Sequence, residues 1–489
     1  MFVVMVASEC APVAKAGGLA DVVFGLSREL EIRGHAVEIV LPKYDTLRTD
    51  HVWDLRVVDE VWVPWHGGAV RSSVWFGHVH GRRCYFLEPH ADERPFSRGE
   101  LYGFDDDPDR FALFSKAALE FLLHSGKRPE VIHCHDWQTG LVPVLLYEQY
   151  QHGGMAEQRV CYTIHNFRHQ GLTGAHVLWT TGLGRIEHFT HHDRLGDHTA
   201  PGAVNLMKGG IVYSNFVTTV SPRHAHEAQY TDQGHGLGHT LWVHREKFGG
   251  VLNGIDYNVW NPEIDPHIPV RYSAETIERK YDNKRALRDR LLLRDDYRPI
   301  IAFVSRLDDQ KGVHLADHAL FYTLANGGQF VVLGSGHDPA IQGRFAYLRE
   351  LLRDNPDCHL ELGYDEELAH LLYAGADMLL VPSLFEPCGL TPMIAMRYGT
   401  VPVVRAVGGM VDTVADWDFS DRPASERTGY AFHETDGPAV ESALWRALRL
   451  WYDDPRGFRE LMLTGMRQDH SWAEAGGHYL NIYEHIRHR

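Results

Sequence analysis

Short apolar runs rich in β-branched residues alternate with helix-length segments along nearly the whole chain. No other feature restricts the fold as much. The first series is FVVMVA (2–7), AVEIVL (36–41), EVIHCH (130–135), RVCYTI (159–164) and NFVTTVS (215–221), with helical patterns at 19–34 and 110–125. The second is IIAFVS (300–305), QFVVLG (329–334), CHLELG (358–363), DMLLVP (377–382) and TVPVVR (400–405), with helical segments at 314–326, 340–354, 366–375 and 390–398. Strands covered on both faces read as continuous apolar runs, so both series predict parallel sheets flanked by helices. Two series predict an α/β protein of two doubly wound domains, in keeping with 489 residues, too many for one core. The stretch 61–89 reads as hairpin strands inserted into the first series. The Gly-, Asn- and Pro-rich segment 249–266 marks the join, giving domains 1–250 and 251–470. The tail 471–489 carries a stripe of Trp472, Tyr479, Ile482, Tyr483 and Ile486, which predicts a final helix packing back on the first domain.

A formal charge of −17 repels nucleic acid and anionic membrane, and neither is expected as a partner. No apolar run approaches the roughly 20 residues of a membrane span, and no basic stretch precedes the first apolar run as in a signal peptide. The six cysteines form no CxxC pair, which fits reduced thiols and a cytoplasmic location. Among 33 histidines, the pairs His133/His135, His224/His226 and His235/His239 lack metal-motif spacing. Structural or surface roles are expected for them, no metal site is expected, and the Gly-rich 235–239 segment is not expected to be helical. The acidic stretch DDDPD (105–109) is expected to be a solvated loop.

Open α/β sheets bind ligands beyond the carboxyl ends of their strands, so the cleft between two such domains is the expected site. After the first strand, Lys15-Ala16-Gly17-Gly18 opens a helix. Glycine amides and a helix N-terminus suit an anion, and Lys15 adds a full charge. A nicotinamide site is disfavoured: GxGxxG is absent, and the second strand ends in VLPKYD without an acidic tip. No GxxxxGK[ST] phosphate loop occurs. After IIAFVS come Arg306 and Lys311, a cation pair suited to a diphosphate. In SLFEPCGLTPMIAMRYG (383–399), Glu386 either accepts sugar hydroxyls or caps a helix, Gly389-Leu390-Thr391 opens that helix, and Cys388 is a packing wall. HCHDWQTG (133–140) and YTIHN (162–166) end successive strands with Asp136, His165 and Asn166, which line a pocket. Acid or base candidates are Asp136, His165, Asp21 and Glu386, and Glu9 is a further cleft candidate.

These stretches, with NLMKGGIVYSNFVTTVSP, LNGIDYNVWNP, RLDDQKG and FEPCGLTPMIAMRYGTVPVVRAVGG, resemble the bacterial glycogen synthase and plant starch synthase family. The motifs run in family order along essentially the whole chain, and their wording is most like cyanobacterial and related bacterial members. The resemblance implies the GT-B fold and retaining transfer of α-glucosyl, in bacteria usually from ADP-glucose, to the non-reducing end of an α-1,4-glucan. It places Lys15, Gly17 and Gly18 near the donor's phosphates and sugar, and Arg306 and Lys311 on the diphosphate. Glu386 would bind sugar hydroxyls, Gly389, Leu390 and Thr391 phosphate, and Cys388 would line the donor pocket. His165 would sit beside the transferring glucose and Tyr364 at the nucleoside, with Asp21, Asp136, Asn166 and Asn253 as polar cleft positions.

Two positions depart from the family pattern. Pro392 stands where Gln is common, and Ile394 stands where a broader set of related enzymes has a second Glu. No metal requirement and no cofactor are expected. Domain closure is expected to exclude water during transfer. The alternatives are a glycosyltransferase of other donor or acceptor, a silent glucan-binding partner, and a pyridoxal-phosphate phosphorylase. The last is disfavoured by the lack of its cofactor-lysine motif.

Overall fold

The apolar runs of the first half form β1 (Phe2–Val6), β2 (Ala36–Pro42), β3 (Val52–Trp65), β4 (Gly68–Val79), β5 (Arg82–Pro89), β6 (Val131–His135), β7 (Arg159–Ile164), β8 (Phe216–Thr219) and β9 (Phe248–Gly250). The structure is a computed structural model that describes residues 1–488. Among the described residues these strands make a nine-stranded sheet in the order β9-β8-β7-β6-β1-β2-β5-β4-β3. Pairing is parallel from β9 to β5, and β5, β4 and β3 run antiparallel. Val3 to Val6 of β1 are wholly buried. Each such side chain stabilises the fold by about 1.5–3 kcal/mol relative to exposure. Strand order reverses at β1, which has β2 on one side and β6 on the other, so the loops after β1 and β6 border a crevice.

The inserted strands begin at Val52, earlier than the expected 61, and β5 joins the main sheet by pairing parallel with β2. Their pattern is hard to read because β3 is an edge strand that exposes Trp53, Val57 and Trp62, and two register shifts break its alternation. The acidic stretch expected as a solvated loop instead opens the helix Asp107–His124, with a proline in its first turn. The Asp107 carboxylate accepts from Arg110 Nε at 2.7 Å, and both residues are buried. Acidic groups at a helix N-terminus are favoured by its dipole. A second correction concerns His239, which lies in the short helix Gly238–Val243.

Contacts divide the chain into one unit of Met1–Gly254 with the tail from Trp472, and a second of Ile255–Ser471. The tail helix Trp472–Arg487 buries Trp472, Tyr479, Tyr483 and Ile486 in the first unit, with Ile482 half-buried. Gly25 admits it: a Cβ there would lie 2.1 Å from the Trp472 indole. Among the described residues no helix is long and apolar enough to cross a membrane.

The second unit holds β10 (Ile300–Val304), β11 (Gln329–Gly334), β12 (Cys358–Leu362), β13 (Met378–Val381), β14 (Val401–Arg405) and β15 (Tyr430–Phe432). These form a six-stranded parallel sheet in the order β12-β11-β10-β13-β14-β15. Order reverses between β10 and β13. The loops that follow those two strands are therefore the expected ligand-binding loops of this unit.

Candidate active site

Both loops are charged, and they meet. After β10, Arg306 is followed by a tight turn, Asp309–Lys311, in which the Asp308 carboxylate accepts from the Lys311 amide at 3.1 Å. After β13 comes Glu386, a carboxylate only 9% exposed. Lys311 Nζ donates to Glu386 Oε2 at 2.6 Å, and Ser383 Oγ donates to the same oxygen at 3.0 Å. The Leu384 amide donates to Gln310 O at 2.8 Å and Gln310 Nε2 to Phe385 O at 3.2 Å, so backbone and side chain both tie the loops together. Glu386 Oε1 has no protein partner among the described residues, and Lys311 has two further N–H bonds to give. Charge-assisted pairs in so little water are stronger than surface pairs. Arg306 is more open, its side chain 65% exposed and 3.5 Å from Asp308.

Gly389, in the left-handed region at φ 79, starts the helix Leu390–Arg397. The amides of Gly389, Leu390 and Thr391 have no protein acceptor among the described residues, as the first turn of a helix requires. Pro392 falls at the third helical position, where a missing N–H breaks no intrahelical bond but removes one donor from that turn. Cys388 is buried against this loop. Tyr364 stands 83% exposed just ahead of the helix Glu366–Gly375.

The Glu386 backbone is held by the glycine pair that follows β14. The Gly409 amide donates to Glu386 O at 3.2 Å and to Pro387 O at 3.1 Å. Gly408 has φ 52 and ψ −139, and a Cβ there would lie 1.9 Å from Glu386 O. Only glycine adopts such a conformation cheaply, and the strain in any other residue is about 1–3 kcal/mol before the clash is counted. Gly408→Ala is thus expected to lower the thermal midpoint by several degrees and cut transfer by roughly 10-fold or more. Calorimetry and an activity assay check this, and a variant unchanged in both would contradict the clamp.

In the first unit the loop after β1 folds onto itself. Glu9 Oε2 accepts from the Ala16 amide at 2.6 Å and the Gly17 amide at 2.9 Å, while Tyr102 Oη donates to Glu9 Oε1 at 2.7 Å. The Gly17 amide, expected to face a ligand anion, donates in this structure to a carboxylate of the chain itself. Gly18 begins the helix Gly18–Ile32, and Lys15 Nζ pairs with Asp21 at 2.8 Å, both side chains being over 40% exposed. After β6, Asp136 takes φ 56, and its Oδ1 accepts from the His165 amide at 2.7 Å and the Asn166 amide at 3.4 Å. Burial pushes the Asp136 carboxyl up to about 7 against the pull of those two amides, with the charge of Glu9 adding to the rise. Burial also holds the His165 imidazole down to about 3, hence neutral. Asn166 Oδ1 accepts from the Arg168 amide at 2.9 Å. Asn253 is buried, and its Oδ1 has no hydrogen-bond partner among the described residues.

In the first unit, then, Glu9 with Gly17, Lys15 with Asp21, and Asp136 with His165 and Asn166 are brought together. In the second, Lys311 and Glu386 are joined, with Arg306 on the same loop as Lys311. Sequence reasoning did not reach Tyr102 in the first unit, or Ser383, Asp308 and Gly408 in the second. Ser383 stands three residues before Glu386 and was within reach. Tyr102 meets Glu9 across 93 residues and left no signal. Among the described residues no group of three or more His, Cys, Asp or Glu side chains is placed to hold a metal ion.

The family model described as "Starch synthase catalytic domain" matches residues 2–243, and "Glycosyl transferases group 1" matches 284–460. The chain is 63% identical over 483 residues to "Glycogen synthase 2" of Methylococcus capsulatus, covering 99% of both proteins. It is 61% identical over 491 residues to "Glycogen synthase 1" of Synechococcus sp. strain JA-2-3B'a(2-13), covering all of both. Among solved structures it is similar to the catalytic domain of starch synthase IV from Arabidopsis thaliana, which is bound to ADP and acarbose. The TM-score is 0.96 with 43% identity, covering 100% of this chain and 99% of that one. The two doubly wound sheets and these full-length matches agree: the chain belongs to the glycogen synthase and starch synthase family, retaining GT-B glycosyltransferases that transfer glucosyl units from a nucleotide sugar to a glucan.

Proposed function

We propose that the donor is ADP-glucose, that the acceptor is the non-reducing end of an α-1,4-glucan, and that transfer needs no divalent metal or other cofactor. The reading places the reaction in the cytoplasm, where the six buried thiols, in no disulfide among the described residues, stay reduced. One observation carries it: Lys311, an ammonium with N–H bonds to spare, is locked to Glu386, a carboxylate with one open oxygen. An ammonium and a carboxylate held at 2.6 Å can face opposite ends of one sugar–phosphate linkage. Lys311 would take the diphosphate with Arg306 and the amides of Gly389, Leu390 and Thr391. Glu386 Oε1 would accept from the glucose hydroxyls, Cys388 would wall the pocket, and Tyr364 would lie along the nucleoside. In the first unit, Lys15 and Gly18 would serve the donor's phosphates and sugar, and neutral His165 the transferring glucose. Glu9, Asp21, Asp136, Asn166 and Asn253 would shape the glucan side.

In the step itself, the bond from C1 to the phosphate oxygen breaks with its electron pair leaving on the diphosphate. The acceptor hydroxyl forms a new bond to C1 on the same face, and its proton passes to the departing phosphate oxygen. Cations and amides aimed at the growing charge do the work that a metal ion performs elsewhere. Release of nucleoside diphosphate from ADP-, UDP- and GDP-glucose on glycogen, with and without EDTA, tests the proposal. ADP-glucose is expected to lead in kcat/KM by roughly 10-fold or more, and EDTA to leave the rate intact. A lead for UDP-glucose would overturn the donor assignment. Activity lost to EDTA and restored by a divalent cation would overturn the metal-free mechanism.

A further inference from the structure

Three imidazoles gather where β6 and β7 end. His135 Nδ1 lies 3.1 Å from His165 Nε2, and His135 Nε2 is buried with no hydrogen-bond partner among the described residues. The His133 ring packs on His135 with centroids 4.1 Å apart. His133 is itself fixed by Tyr483 Oη at 2.7 Å and Thr163 Oγ1 at 2.7 Å, so the stack has little freedom to turn. A single proton lies in the bond between His135 and His165, and its two placements are not equivalent. Burial keeps both rings neutral, so each carries one N–H. Were the shared proton on His165 Nε2, His135 would carry its own on Nε2, a buried N–H without an acceptor. Folded proteins seldom tolerate such a group. With the proton on His135 Nδ1, what stays unmatched is a lone pair. His165 Nε2 then accepts, and the His165 proton must sit on Nδ1. That nitrogen has no protein partner among the described residues, and His165 is only partly buried.

We propose that His135 is a positioning residue that fixes His165 as its Nδ1–H tautomer, so that His165 offers a hydrogen-bond donor to an oxygen of the substrate sugar. Free imidazole side chains favour the opposite tautomer, with the proton on Nε2, so the preference has to be imposed. The catalytic consequence rests on the assignment of His165 to the transferring glucose, whereas the tautomer itself does not. This separates the two in experiment.

The test is nitrogen-15 NMR of histidine-labelled full-length protein, with the His165 signals identified by their absence in His165→Asn. The wild type is expected to show a protonated Nδ1 and a bare Nε2 at His165. In His135→Phe the pattern is expected to reverse and kcat to fall roughly 10- to 100-fold, with donor KM moving by less than about threefold. His135→Asn, whose side-chain N–H can stand near the position of Nδ1, is expected to recover the wild-type tautomer and most of kcat. A protonated Nε2 at His165 in the wild type overturns the proposal, and this measurement needs no variant of His135 to fold. Wild-type kcat in a folded His135→Phe with reversed tautomer overturns the catalytic half. Wild-type kcat in His165→Asn would instead overturn the assignment of His165 to the sugar, leaving the tautomer result standing.

Discussion

Lys311→Ala is expected to lower kcat/KM for the nucleotide sugar by about 10²- to 10³-fold while the protein stays folded. The loss has two parts. The ammonium proposed to meet the diphosphate is gone, and electrostatic stabilisers of a leaving group act mainly in the transition state, so kcat is expected to fall more than donor affinity. Glu386, only 9% exposed, also loses its counter-ion and would turn an unpaired negative charge toward the proposed diphosphate. This second part makes a separate forecast. In the double variant Lys311→Ala/Glu386→Gln the unpaired charge is absent, so the combined loss is expected to be smaller than the product of the single losses. Steady-state kinetics on the four proteins of the cycle give the coupling directly. Independent, multiplicative losses would show that the 2.6 Å pair has no bearing on the donor. Stability is expected to drop by only about 1–2 kcal/mol, since Ser383 still donates to Glu386 and the pair retains some contact with water.

That pairing marks the limit of what could be read from the chain. The core strands were legible because parallel strands buried on both faces leave unbroken apolar runs: RVCYTI forms Arg159–Ile164, and QFVVLG forms Gln329–Gly334. Edge and very short strands carry no such mark, which is why the start of β3 and all of β15 were not anticipated. Lys311 and Glu386 were each legible as polar residues just past a strand. Their contact was not, because it spans 75 residues and depends on β10 lying next to β13. Sequence periodicity does not encode strand order. A similar gap explains Gly17. A glycine-rich turn before a helix was legible as a set of free amides, but its contact with Glu9, eight residues earlier, was not. The acidic stretch at 105–109 failed for another reason: the partner of Asp107 is Arg110 on the same helix, and a charge run read without its helix looks like a solvated loop.

Glu386 offers the sharper division between shape and charge. Its two oxygens differ: Oε2 is committed to Lys311 and Ser383, and Oε1 has no protein partner among the described residues. Glu386→Gln keeps the volume and leaves one acceptor oxygen. If the oxygen stays with Lys311, the amide nitrogen replaces the open acceptor and sugar hydroxyls lose their partner. If the amide turns over, an NH₂ group faces an ammonium. Neither arrangement serves both ends of the linkage, so Gln is expected to cost roughly 10- to 100-fold in kcat/KM. Glu386→Ala removes both contacts and frees Lys311 to swing, and about 10²- to 10³-fold is expected. The two variants should also differ in substrate dependence. A hydroxyl that Glu386 no longer accepts from is one whose absence no longer matters. Deoxyglucose analogues of the donor should therefore be penalised by wild type and nearly indifferent to Glu386→Ala at the position contacted. Measuring kcat/KM for each deoxy donor on wild type, Gln and Ala identifies that hydroxyl. An equal penalty in all three proteins would remove Glu386 from the sugar and leave it only the task of holding Lys311.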